Sequence, residues 1–158
     1  MLRTIFVVLA MGLVYPAQIV EVKDADTFAM EIKIWPKIIL ERDIRLYGVD
    51  TWETTRRREI RIGSIRYRPN EQEIALGKKA KAWVEEKIKG ETIHILYQNE
   101  DKYGRVLATV LVGEEDLSQL LIKNCHGIPY DGKTYGEPAS GCTSPRPSEK
   151  TPLTKHSF

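Results

Sequence analysis

Apolar positions in the first third of the chain gather into three strand-like runs, Gln18 to Val22, Thr27 to Ile34 and Ile38 to Tyr47. Chemistry separates them: Lys23-Asp24-Ala25-Asp26 is a polar turn, and in Trp35-Pro36-Lys37 the proline cannot donate to a ladder. In the third run Ile38, Leu40, Ile44 and Leu46 share one face, so Arg45 and Tyr47 point away from it, to solvent or into a site. The period then changes. Asn70 can cap a helix, with Glu73 placed as in a capping box; Leu76, Ala80, Trp83, Val84 and Ile88 make an inward stripe, and Gly90 supplies the stop. Alternation returns from Glu91 to Tyr97, where Ile93, Ile95 and Tyr97 face one way and His94 the other, and a further strand runs from Gly104 to Val112. Leu117, Leu120 and Leu121 then have the spacing of a short helix over a core.

Three strands, a helix, two strands and a helix is the order of a small closed barrel of the oligonucleotide/oligosaccharide-binding type. The expected fold class is α+β, mainly β: a five-stranded OB-fold barrel with two helices, or three, over residues 18–130. At the start of the chain Arg3 precedes an apolar run from Ile5 to Val14, followed by Pro16 and Ala17. Residues 1–17 therefore read as an export signal and the protein as secreted or periplasmic, with a membrane tether through residues 5–14 as the alternative. Residues 131–158 hold glycines and prolines among Ser, Thr and Lys with no apolar period, which predicts a disordered tail.

The remaining arithmetic narrows the classes. A chain of 158 residues, 42% hydrophobic and 29% charged, is one globular domain, which excludes wholesale disorder and a multi-span membrane protein. A net charge of +2 excludes binding a polyanion by bulk charge, so a nucleic-acid partner requires a local basic patch. Cys125 and Cys142 are too few for a disulfide scaffold or a four-cysteine zinc site; one disulfide and two thiols are both open.

Charged residues concentrate where strands end, in KDADT at 23–27, IRLYGVDTWE at 44–53, DKYGR at 101–105 and the arginine-rich stretch 54–68. Arg45, Asp50 and Glu53 leave one strand and its turn together. Several carboxylates with two guanidiniums suit a hard cation, Ca²⁺ or Mg²⁺, beside a phosphate. At these separations the strings D-x-D-T, R-L-x-x-V-D-T-x-E and D-K-Y-G-R resemble the thermonuclease, or staphylococcal-nuclease-like, phosphodiesterases from about Ile19 to Tyr130.

The resemblance implies a calcium-dependent nuclease acting on DNA or RNA with little sequence preference and leaving 3′-phosphates. It assigns Asp26, Asp50 and the Thr51 carbonyl to the calcium ion, with Asp24 as an outer acid. Glu53 becomes the general base, Arg45 and Arg105 the phosphate-binding arginines, and Lys102, Tyr103 and Tyr130 the nucleotide-binding residues. No stable protein partner is implied, so a monomer is expected. Two departures stand out: Trp52 replaces the family's proline and is a candidate platform for a base, and the segment from Glu53 to Gly77 is longer.

Bland readings weigh against each feature alone. Aspartates are common turn residues, His94 suits a core edge, Trp83 a core, Lys78, Lys79 and Lys81 a solvated helix face, and Arg56 to Arg58, Arg61, Arg66 and Arg68 either a solvated loop or an electrostatic guide for nucleic acid. A second function class, a non-catalytic nucleic-acid or protein-binding module on the same barrel, is set against the nuclease. The retention of Asp26, Arg45, Asp50, Glu53 and Arg105 together favours the enzyme.

Overall fold

A computed structural model describes residues 14–56, 59–62 and 65–147, omitting the side chain of Ile62. Five strands close into a barrel: β1 (Val14–Asp24), β2 (Thr27–Trp35), β3 (Ile38–Leu46), β7 (Ile93–Glu100) and β8 (Val106–Val112). The ladders β2–β1, β3–β2, β1–β7 and β7–β8 are antiparallel, and the parallel pairing of β3 with β8, Ile44 opposite Val106, closes the circle. Two helices, α1 (Glu71–Lys87) and α2 (Leu117–Lys123), complete an α+β OB-fold. Short pairs decorate it: β4 (Gly48–Thr51) with β10 (Gly127–Tyr130), β5 (Ile60–Ile62) with β6 (Ile65–Tyr67), and β9 (Glu115–Asp116) against β8.

Alternation explains the core. Phe28, Met30 and Ile32 of β2, Ile44 and Leu46 of β3, and Val106, Ala108, Val110 and Val112 of β8 point inward and pack on Ala80 and Val84 of α1 and Leu117 and Leu121 of α2. The third predicted strand, Ile38 to Tyr47, is β3, and a short strand not expected from the sequence follows it. Gly48, at φ +84, turns the chain after Tyr47, and β4 leaves the barrel to pair with β10.

Helix α1 starts as expected, the Asn70 side chain accepting from the Glu73 N–H at 2.8 Å. Of the predicted stripe Ala80 and Val84 enter the core and Trp83 and Ile88 pack against it, and the buried face extends beyond it to Glu73, Ile74 and Gly77. Glu73, Ile74, Gly77, Ala80 and Val84 are buried, whereas Leu76 and Trp83 are only partly so.

Both ends of the expected domain differ. Val14 to Ala17 belong to β1 and pair with Leu96 to Ile93 of β7; the rest of the apolar start lies outside the described residues. The disordered tail does not hold for residues 131–147. Cys142 forms a disulfide with Cys125, and Arg146 is buried. Composition weighs only apolar burial, whereas this segment is held by a covalent link and an arginine bonded to acids.

Candidate active site

The β1–β2 turn delivers Asp26. It is buried, one carboxylate oxygen accepting from the backbone N–H and hydroxyl of Thr51 at 2.8 and 2.7 Å, the other from the Thr27 hydroxyl at 3.0 Å. Burial alone would raise its pKa. The charge of Arg45 and the hydrogen bonds from Thr51 and Thr27 together outweigh burial and hold it below the ordinary aspartate value. Thr27 and Arg45 are opposite one another on β2 and β3, so the same ladder that positions Asp26 aims Arg45 at it. The Arg45 guanidinium spans two acids, pairing with Asp26 through one terminal nitrogen and with Asp50 through the other. Burial disfavours its charge, but the two carboxylates more than compensate and raise its pKa.

Asp50 and Thr51 come from β4, held in register by β10, with Asp50 opposite Ile128. Glu53 follows one residue beyond Trp52. With Asp24, Asp26, Thr27, Arg45, Asp50, Thr51, Trp52 and Arg105 it lines a pocket of about 40 Å³. Asp24 accepts from the Thr54 hydroxyl at 2.5 Å, which ties the turn after Glu53 to the end of β1.

Arg105 precedes β8 and is oriented by Asp101, which accepts from its Nε at 2.7 Å and its backbone N–H at 3.0 Å. A second cavity, of about 380 Å³, adjoins the first; Lys102, Tyr103, Tyr130 and Asp131 line it, together with Arg45 and Arg105. Tyr103 is exposed beneath Lys102, whose Nζ lies 5.1 Å from the ring centre, and Tyr130 stacks on Tyr135 with ring centres 4.5 Å apart. The residues predicted from sequence therefore fall into two adjoining spaces, one acidic and one aromatic and basic, with both arginines on their common wall.

Trp52 is not a base platform. It is buried, its indole N–H donates to the Cys125 carbonyl at 3.0 Å, and its ring lies 5.3 Å from the Arg146 guanidinium.

Sequence reasoning missed Arg146 altogether. From the segment behind Cys142 this arginine donates to Asp50, to the Thr51 carbonyl at 2.6 Å and to Glu73 at 2.6 Å. Burial works against its charge, but Asp50, Tyr67 and Glu73 raise its pKa. Glu73, read from sequence as half of a capping box, instead sends its carboxylate into this network. The same oxygen accepts from Tyr67 at 3.2 Å and from the Glu53 N–H at 3.4 Å, while its other oxygen is buried without a hydrogen bond. Nothing in Ser-Pro-Arg-Pro marked Arg146; Cys142 nearby was the only hint.

Helix α1 approaches the turn closely because residue 77 is glycine. A Cβ there would lie 2.2 Å from the Glu53 carbonyl oxygen. Of the arginine-rich stretch, Arg56 pairs with Glu71 at 2.5 Å and Arg66 with Glu59 at 3.3 Å on the surface; Arg57 and Arg58 lie outside the described residues.

Residues 43–139, which carry Arg45, Asp50, Glu53, Arg105 and Tyr130, match the family model described as staphylococcal nuclease homologue. The chain belongs to that family. This staphylococcal nuclease homologue is also 31% identical over 100 residues to the probable endonuclease LCL3 of Yarrowia lipolytica; the alignment covers 60% of the chain and 38% of that protein. Asp26 lies before the family-matched region and Arg146 after it. In this homologue both ends of the site are thus supplied by segments outside the match.

Proposed function

We propose that the chain is a calcium-dependent nuclease that hydrolyses phosphodiester bonds in DNA, RNA or both with little sequence preference, leaving 3′-phosphates. The observation that carries this reading is the shared wall of Arg45 and Arg105 between the acidic pocket and the nucleotide-sized cavity. A phosphodiester at that wall has two forked guanidiniums beside it, carboxylates on one side, and Lys102, Tyr103 and Tyr130 for its nucleotide on the other.

The donor set fits a hard divalent ion. Asp26, Asp50 and the Thr51 carbonyl offer only oxygens, and the 40 Å³ pocket has room for an ion or a water. Among the described residues no group of three or more His, Cys, Asp or Glu side chains is arranged for a metal; the proposed set is two carboxylates and a backbone carbonyl. Arg45 pairs with Asp26 and Asp50, and Arg146 with Asp50 and the Thr51 carbonyl. When bound, calcium supplies polarisation of the phosphodiester and offsets its charge. The chain's own residues do the rest. Glu53 takes the proton of the attacking water, and Arg45 and Arg105 neutralise the charge that builds on the five-coordinate phosphorus.

The apolar start supports export, and an oxidising compartment suits the Cys125–Cys142 disulfide. Cleavage after Ala17 would remove the four residues paired with β7, which favours retention of Val14 to Ala17; a tether through residues 5–14 is the alternative to export. The test of the enzyme is a gel assay of the full chain on single-stranded DNA and on RNA, with calcium and with chelator. Calcium-dependent degradation is expected; binding without degradation would make the chain a non-catalytic module.

A further inference from the structure

We propose that the tip of the β2–β3 hairpin is a membrane-contacting surface that seats the barrel on a lipid bilayer with the acidic pocket facing water. The hairpin leaves the barrel after Ile32, which is 3% exposed. Residues 33–39 are all exposed, with Trp35 at 69%, Ile39 at 60%, Ile38 at 51% and Ile34 at 40%. Trp35 and Ile38 face one another across the Pro36-Lys37 turn, which puts the largest apolar side chains at the outermost point. Among the described residues nothing covers them, and an exposed apolar cluster of this kind marks a contact surface.

Its chemistry selects the partner. The tip is Lys-Ile-Trp-Pro-Lys-Ile-Ile, with lysines as its only charges. Tryptophan and aliphatic residues interleaved with lysines are what a bilayer interface accepts: the apolar groups enter the boundary and the ammoniums meet anionic headgroups.

Position points the same way. The last β1–β2 pair is Ala17 with Ile32, and counting on puts Val14 and Trp35 three residues beyond it on their strands, toward the same end. Val14, the first described residue, is itself 50% exposed toward that end. Asp26 sits just before the other end of β2, nine residue steps from Trp35, or about 30 Å of extended chain. A bilayer at the tip leaves the acidic pocket open to a polymer in solution. No helix among the described residues is long and apolar enough to cross a membrane; the hairpin offers a contact at the lipid surface.

The test does not read nuclease activity, so it stands apart from the enzymatic proposal. The full chain is mixed with phosphatidylcholine–phosphatidylglycerol vesicles with and without brominated acyl chains, and tryptophan fluorescence is compared for wild type and Trp35→Phe. Of the three tryptophans Trp52 is buried and Trp83 packs against His126, so replacing exposed Trp35 leaves the core intact and removes the lipid-facing fluorophore. Bromolipid quenching in the wild type should fall to less than half in Trp35→Phe. Equal quenching in the two, or none in either, overturns the proposal. A Lys33→Glu/Lys37→Glu variant should show weaker quenching in the mixed vesicles than wild type, with the difference closing at high salt. A blue shift of Trp35 emission that follows protein concentration without lipid, with a dimer in sedimentation, would assign the tip to a second copy of the chain and overturn the lipid assignment.

Discussion

The guanidinium of Arg146 donates to a carboxylate oxygen of Asp50, although the two residues lie 96 positions apart. That contact joins the end of the described chain to the acid at the centre of the site. It also places a fixed positive charge on the face of Asp50 opposite Arg45.

Removing Arg146 exposes what it neutralises. Glu73 is 1% exposed and would keep a buried carboxylate without its cation. Arg146→Ala should therefore lose about 3–5 kcal/mol of stability in denaturant unfolding. Arg146→Ala with Glu73→Gln should recover much of that, because the second change removes the uncompensated charge. Failure to recover would mean that packing against Trp52, not charge, is what Arg146 contributes.

Glu53→Gln should leave unfolding unchanged and lower hydrolysis by about 10²- to 10⁴-fold, the range for a positioned base. Unaltered turnover in purified protein would exclude Glu53 from that role. Arg105→Lys should not restore activity lost in Arg105→Ala, because an ammonium cannot make the bidentate phosphate contact.

Gly77→Ala tests the close approach of α1 to the turn at Glu53. The added Cβ meets the Glu53 carbonyl, backbone rather than a yielding side chain, so the turn must move. Hydrolysis should fall by about 10²-fold while affinity for a nucleotide measured by calorimetry changes little, since the groove at Lys102 and Tyr130 lies elsewhere. A proportional loss of both would indicate general unfolding.

Asp101 carries the acid sensitivity of the loop that aims Arg105. Burial would raise its pKa, but backbone hydrogen bonds from Arg105 and Tyr103 and the Arg105 side chain bring it below the ordinary value of 3.8. A depressed carboxylate contributes stability that is present above the unfolded-state pKa and lost as pH falls through the folded one. The loss should appear below about pH 4, and Asp101→Asn should flatten that part of the stability–pH curve. An NMR titration placing Asp101 at or above 3.8 would contradict the geometry.

The Cys125–Cys142 disulfide spans a sequence separation of 17 residues. Cys125→Ser with Cys142→Ser should lower stability by about 3 kcal/mol, as expected for closure of a loop of that length. Reductant should shift the unfolding midpoint of the wild type and leave that of the double variant unmoved.

The barrel was legible because its signals are local. Period-two runs, a proline that breaks a ladder and Asn70 at a helix start each act through neighbours within a few residues, so their meaning does not depend on what folds elsewhere. The residues Asp26, Arg45, Asp50, Glu53 and Arg105 were legible for another reason, as short strings whose separations resemble those of a known family, and the structure gathers them around one pocket. What α1 buries was not local. Its helical period is compatible with a stripe through Leu76 and Trp83, and only contact with the turn at Glu53 extends the buried face to Glu73 and Gly77. Arg146 lay further still from any local rule: its segment has no period and little apolar content, and it becomes ordered through a disulfide and three acceptors that come together only after the barrel closes. Residues whose structure follows from their neighbours could be read from the chain. Those whose environment is assembled from distant segments, Arg146, Glu73 and Trp52, were decided by the tertiary structure, because burial and charge compensation belong to the folded surroundings and not to the sequence beside them.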